Sequence, residues 1–165
     1  MNVLMSLLFT VSLDGRDIGE HRFELVERGE ARELLSEARF RVSVLGIPAY
    51  RYEHQATERW RGDCLEALVS STRDGLKRYA VDWRAQRGCT MSFAYWNPRI
   101  LGEKALLNAQ TGELEPVRVT PLGAGAYRVQ GRELAIELRY DEGRWVGLET
   151  DTPGGRLRYR LAGAK

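Results

Sequence analysis

The stretch Leu7-Leu8-Phe9-Thr10-Val11-Ser12-Leu13-Asp14-Gly15 decides how the rest of the chain is read. Leu7, Phe9, Val11 and Leu13 alternate with Leu8, Thr10 and Ser12, the period of two that a half-buried β-strand requires. Asp14-Gly15 is a two-residue signal for an antiparallel hairpin, so His21, Phe23 and Leu25 are expected to return beside the first strand after a slightly irregular loop. The same alternation recurs downstream. Ala38, Phe40, Val42 and Val44 oppose Arg39, Arg41 and Ser43, and Leu157, Tyr159 and Leu161 oppose Arg156, Arg158 and Arg160. Leu134, Ile136, Leu138 and Tyr140 form another apolar row.

Gly-containing turn signals separate these segments, among them Gly46-Ile47-Pro48, Asp74-Gly75 and Gly123-Ala124-Gly125. The pattern predicts an all-β chain of about ten strands in an antiparallel meander. A single open sheet would leave its apolar face wet, so the expectation is a meander curled into a barrel or half-barrel, ranked above a sandwich. One segment departs from the pattern. Between Asn97 and Leu107, Pro98 followed by Ile100, Leu101, Lys104 and Leu107 predicts one or two helical turns, weakened by Gly102. With no repeat, low-complexity tract or linker, residues 1–165 are expected to form a single domain.

Composition excludes several function classes. Of 165 residues, 43% are hydrophobic and 29% charged, and the mean hydropathy is −0.41, the profile of a folded globular chain. Twenty-five basic residues face 23 acidic ones, and 22 of the basic residues are Arg, interspersed with Glu instead of forming a stripe; no nucleic-acid partner is expected. The apolar run from Val3 to Phe9 is far shorter than the roughly 18 residues of a membrane span. It also lacks the basic flank and small-residue cleavage pattern of a secretory signal. Cys64 and Cys89 are the only cysteines, which leaves two readings: a disulfide in an oxidising compartment, or two small buried hydrophobes in a reducing one.

The segment Tyr50 to Trp60 carries the unusual chemistry. Its alternation puts Tyr50, Tyr52, His54, Glu58 and Trp60 on the face continuous with Phe40 and Val42, and Arg51, Glu53, Gln55, Thr57 and Arg59 on the solvent face. A packed core does not accept His and Glu without partners, so an aromatic, partly polar interior points to a cavity. Phe93, Tyr95 and Trp96, preceding the Asn97-Pro98 turn, are expected to line the same interior. Small-molecule sites combine apolar and aromatic walls with a few convergent polar groups. The competing reading is a barrel core filled by Tyr and Trp, with their polar tips at the rim.

Enzyme motifs are sparse. Two histidines, His21 and His54, make a metal centre improbable, and no cofactor motif is present. His54 and Glu58 lie four residues apart on one strand, about 13 Å, too far for a local dyad. His54 alone could serve as a general acid or base within a cavity.

Several phrases carry a family resemblance. Leu13-Asp14-Gly15 with Ile18-Gly19-Glu20-His21, Leu45-Gly46-Ile47-Pro48 leading to Tyr50-Arg51-Tyr52-Glu53-His54, Phe93-Ala94-Tyr95-Trp96-Asn97-Pro98, and Leu106-Leu107-Asn108-Ala109-Gln110-Thr111-Gly112-Glu113 are in order. Together they resemble an uncharacterised bacterial family known as a domain of unknown function, across about Leu7 to Tyr159. The resemblance implies export to the periplasm or envelope and pairing of Cys64 with Cys89. It brings no activity, and the chain as given begins almost at the first strand, which leaves a cytoplasmic location open.

The residues therefore predict a non-enzymatic binding protein holding an apolar or amphipathic, lipid-like molecule against Tyr50, Tyr52, His54, Glu58, Trp60, Phe93, Tyr95 and Trp96. Two alternatives stand beside it: a structural or partner-binding module working through an exposed sheet edge, and a cavity enzyme using His54. The oligomeric state is not fixed by the sequence.

Overall fold

Long alternating segments joined by two-residue turns fold back on one another in sequence order. The computed structural model describes residues 2–165. β1 (Val3–Leu13), β2 (Arg16–Arg28), β3 (Ala31–Val44), β4 (Ile47–Arg61), β5 (Cys64–Asp74) and β6 (Lys77–Arg84) form one antiparallel run. A crossing segment follows, with a short 3-10 helix (Pro98–Gly102) and the two-stranded ribbon of β7 (Ala105–Leu107) and β8 (Leu114–Pro116). β9 (Arg118–Gly123), β10 (Ala126–Gln130), β11 (Ala135–Asp141), β12 (Arg144–Thr152) and β13 (Gly155–Ala164) complete the chain. β13 pairs with β1, so the sheet has eleven strands in the order β6-β5-β4-β3-β2-β1-β13-β12-β11-β10-β9.

The hairpin turn at Asp14-Gly15 forms as its sequence requires. Both residues have positive φ, 48° and 82°, and Phe9 faces His21 while Leu7 faces Phe23. The irregularity comes later, as a bulge between Val11 and Ser12 where Gly19 meets β3. A Cβ on Gly19 would fall 1.8 Å from the Arg39 carbonyl oxygen, so the backbones approach there as only glycine allows.

The barrel expectation is corrected. The sheet is neither closed nor curled into a barrel, and among the described residues the outer edges of β6 and β9 stay unpaired. Its apolar face is covered from another source. The segment linking β6 to β9 lies across it and contributes Met91, Ala94, Trp96, Ile100, Leu106 and Leu107 to the core formed by Phe9, Phe23, Trp60, Leu68, Leu138 and Trp145. A connection carrying that much apolar surface removes the need for closure. The unpaired edges are blunted instead, by Pro121 on β9 and by Lys77, Arg78, Asp82 and Arg84 on β6.

The expectation of one short helical segment near residues 98–107 is met by a single 3-10 turn and extends no further. Only Pro98–Gly102 is helical, as a 3-10 turn, with the Asn97 side chain accepting from the Arg99 amide at 3.1 Å. Gly102 ends it, and Ala105–Leu107 pairs as a strand with β8, because Leu106 and Leu107 are buried on opposite sides of a ribbon against the sheet. Cys64 and Cys89 are joined by a disulfide that ties the start of the crossing segment to the β4–β5 turn. Asp63, in that turn, accepts from Asn97 Nδ2 at 3.0 Å and from Arg99 Nε at 3.1 Å.

Candidate functional site

Pairing register assembles the site. Across the inner face, Phe9, His21, Ala38, His54 and Thr72 lie side by side on β1 to β5. The next row toward the β3–β4 tip holds Val11, Gly19, Phe40, Tyr52 and Asp74, and Tyr159 on β13 pairs with Val11. Gly19 and Ala38 are small, so the rings of Tyr159, His21, Phe40, Tyr52 and His54 crowd together above them. Phe40 and Tyr52 stack at 5.3 Å between centroids, His21 stacks on Phe23 at 4.0 Å, and His21 lies 6.4 Å from His54.

The polar atoms in this cluster are tied in a definite way. His21 Nδ1 bonds with the Tyr159 hydroxyl at 2.9 Å and Nε2 with Ser36 Oγ at 2.7 Å, while His54 Nδ1 bonds with Thr72 Oγ1 at 2.7 Å. Each imidazole partner is a hydroxyl, and none is a carboxylate. Burial brings the His54 pKa down to about 4, and burial followed by repulsion from His54 brings His21 well below its ordinary value. Both imidazoles are therefore neutral at pH 7, free to donate and accept at once.

Tyr52 donates to Gln110 Oε1 at 3.0 Å, and Gln110 Nε2 reaches Asp74 Oδ2 at 3.4 Å. Tyr95 overhangs from the crossing segment, its main-chain carbonyl held by the Tyr140 hydroxyl at 2.7 Å. Burial raises the pKa values of Tyr52, Tyr95 and Tyr159, and Tyr52 acts electrostatically on both of the others, so the three phenols share one environment. Tyr52, Tyr95 and His21 keep a minor part of their surface exposed, whereas Phe40, His54 and Tyr159 are buried.

The eight residues singled out from the sequence thus divide into groups. Tyr52, His54 and Tyr95 stand together in the cluster, and Phe93 lies beside Tyr95 at 6.3 Å. Glu58, Trp60 and Trp96 belong to the opposite, closed end of the inner face, under the disulfide. Trp60 packs edge-on against Trp96 at 5.5 Å and donates to Glu58 Oε2 at 3.1 Å, while the Arg32 guanidinium sits 5.6 Å from the Trp96 ring. Burial pushes the Glu58 pKa up to about 7, against the pull of neighbouring Ser92 and Trp60. Tyr50 lies at the rim, 40% exposed, donating to Asp74.

His21, Tyr159, Ser36, Thr72 and Gln110 join the site without having been singled out. The signal for His21 was present in the register, since a hairpin at Asp14-Gly15 and a second return at Arg28-Gly29 set it across Ala38 from His54. Tyr159 and Gln110 arrive from 138 and 58 residues away from their partners, beyond any local pattern.

Two surface troughs, of about 570 and 640 Å³, are lined by outward side chains such as Arg22, Leu35, Thr57 and Val69 in one and Arg39, Arg51, Arg73 and Arg78 in the other. Their linings also take in inward-facing positions, among them Phe23 and Ser36 in the first and Ala38, His54 and Thr72 in the second. No group of His, Cys, Asp and Glu among the described residues has the arrangement of a metal site. No helix among them is long and apolar enough to cross a membrane.

A comparison with curated proteins finds no match. A family model does match, over residues 9–162, and that span takes in both arms of the sheet, the crossing segment and every residue of the cluster. The chain belongs to the family described as a domain of unknown function, DUF6134.

Proposed function

We propose that the protein is a non-enzymatic binder of a small amphipathic, lipid-like molecule, seated against Tyr52, His54, Phe40, Tyr159 and His21 with Tyr95 above. The observation that carries this reading is the convergence of three phenols and two neutral imidazoles on an aromatic wall where Tyr52, Tyr95 and His21 keep a minor part of their surface exposed. Such a surface offers apolar area to a chain or ring and a few fixed donors and acceptors to one polar head. A neutral imidazole suits it, because it bonds a head group without imposing a charge; His54 Nε2 is the ring nitrogen left for one, both nitrogens of His21 being held by Tyr159 and Ser36. Glu58, Trp60 and Trp96 support the site from the packed end and do not line it.

The edge-pairing alternative has less support, since Pro121 and the charged side chains of β6 are devices that discourage strand addition. The enzyme alternative has one feature in its favour, the His54–Thr72 pair at 2.7 Å, yet no carboxylate orients that imidazole.

Native mass spectrometry of protein purified without detergent, followed by titration with oleate, tests the proposal. A 1:1 complex that shifts the His21 and His54 imidazole resonances and is weakened at least tenfold by Tyr52→Ala is expected. Saturable binding that leaves both imidazoles unmoved, or no binding by oleate or any co-purified molecule, would overturn it.

A further inference from the structure

The β3–β4 hairpin ends in a solvent-exposed apolar tip. Val44 is 58% exposed, Leu45 96% and Ile47 69%, and Leu76, in the β5–β6 turn, is 99% exposed. The β5–β6 turn is set back from that tip, level with Arg51: the Gly75 amide donates to the Arg51 carbonyl at 2.9 Å and the Tyr50 ring packs against Gly75, so Leu76 projects beside the base of the hairpin extension. Scattered exposed leucines need no explanation, but three large apolar side chains share the one hairpin tip, with Leu76 exposed on the next turn behind it.

The backbone at this tip makes the leucine stand out. Among the described residues, four that are not glycine have positive φ: Asp14, Leu45, Ala124 and Glu142, each followed by Gly in a hairpin turn. At such positions Asn, Asp or Gly is at ease, and a bulky side chain costs about 1 kcal/mol or more. Three of the four turns carry a small or polar residue there. Leu45 alone sets a large hydrophobe in that strained conformation, and it points that side chain into water.

A basic row lies behind the tip on the solvent face of the sheet. Arg41 and Arg51 face each other directly across β3 and β4, and Arg73 and Arg78 do so across β5 and β6, with Lys77 alongside. Opposed like charges destabilise a sheet. The carboxylates nearby are two: Glu53, paired with Arg51 and facing Arg73 across β4 and β5, and Asp74, bonded to the Tyr50 hydroxyl and the Gln110 amide and facing Lys77. Five cations thus face two committed carboxylates, and Arg41, Arg73, Lys77 and Arg78 have no ion-pair partner among the described residues.

An apolar finger with a row of cations behind it on one face matches a bilayer surface bearing anionic headgroups: the finger enters the interfacial layer while the cationic row leans on phosphates. We infer that this end of the sheet docks on anionic lipid membranes through Val44, Leu45, Ile47 and Leu76, held by Arg41, Arg51, Arg73, Lys77 and Arg78. The inference stands apart from the proposed ligand cluster, because it uses the outer tips of the turns and not the inner face.

Co-sedimentation of the full chain with vesicles of phosphatidylcholine and phosphatidylglycerol at 70:30, and of phosphatidylcholine alone, tests it. Binding to the anionic vesicles is expected, at least tenfold weaker to the neutral ones and at least tenfold weaker in 0.5 M NaCl. The double variant Leu45→Asp, Leu76→Asp is expected to lose binding at least tenfold while keeping the near-ultraviolet circular dichroism of the parent, both side chains being almost fully exposed. A second variant, Arg41→Gln with Arg78→Gln, is expected to lose the preference for anionic lipid. Failure to bind the anionic vesicles, undiminished binding by the Leu variant, or a dimer in solution that the Leu variant abolishes while vesicles stay unbound would each overturn the inference.

Discussion

His21 and His54, 6.4 Å apart across Ala38, are two imidazoles held neutral by the same wall of rings. Both have pKa values below the ordinary 6.5, to about 4 for His54. A base depressed in the folded state binds more protons when unfolded, so stability falls as pH drops from 6.5 toward 4. For His54 the loss is about 3 kcal/mol across that window. Urea unfolding at a series of pH values is expected to show this acid limb, and His54→Gln is expected to flatten it. An unchanged slope in the variant would contradict the neutral assignment.

Glu58 acts in the opposite sense. Its pKa is raised from 4.5 to about 7 by burial, so the folded chain holds a proton that the unfolded chain releases, and stability falls as pH rises from 4.5 through 7. Glu58→Gln keeps an oxygen for the Trp60 indole and removes the buried charge. At pH 8 the variant is expected to be more stable than the parent by up to about 3 kcal/mol, and at pH 4.5 the difference is expected to vanish. Thermal unfolding at the two pH values checks it.

The Cys64–Cys89 bond closes a loop across 25 positions and anchors the segment that covers the core. Replacing both cysteines by serine is expected to cost about 3 kcal/mol. Amide exchange is expected to accelerate first around Met91 to Asn97, ahead of the central strands, because that stretch loses its tether to the β4–β5 turn. Uniform acceleration across the sheet would argue that the tether has no local role.

Gly19 and Gly29 separate two kinds of glycine. Alanine at Gly29 meets nothing within 4 Å and carries only the strain of a positive φ of 64°, a cost of about 1–2 kcal/mol. Alanine at Gly19 would drive into the Arg39 carbonyl, so β2 and β3 must part locally and the cost is expected to exceed about 4 kcal/mol. Denaturant midpoints of the two variants make the comparison, and equal midpoints would refute the close approach.

Local periodicity made much of this legible. The Leu7 to Leu13 alternation, the Asp14-Gly15 turn and the inward placement of Tyr52, His54 and Trp60 all follow from a period of two, which one residue's slip would invert. What covers the inward face did not follow. Ile100, Leu101, Lys104 and Leu107 read as helical turns because spacing alone does not distinguish a short turn and ribbon from a helix, and the burial of Ile100 and Leu107 depends on a sheet assembled from both ends of the chain. The site was half legible for the same reason: Tyr52 and His54 lie on one strand, while Tyr159 reaches His21 only through the pairing of β13 with β1.

That pairing also sets a timetable. The seam between β1 and β13 runs down the middle of the sheet, and its partners, such as Val11 and Tyr159, are nearly 150 positions apart along the chain. Contacts of such long range close slowly, since so much chain entropy is lost before they are rewarded. During synthesis β1 therefore waits with one flank bare until the final strand has been made, and a crowded compartment would favour a holding chaperone on that flank.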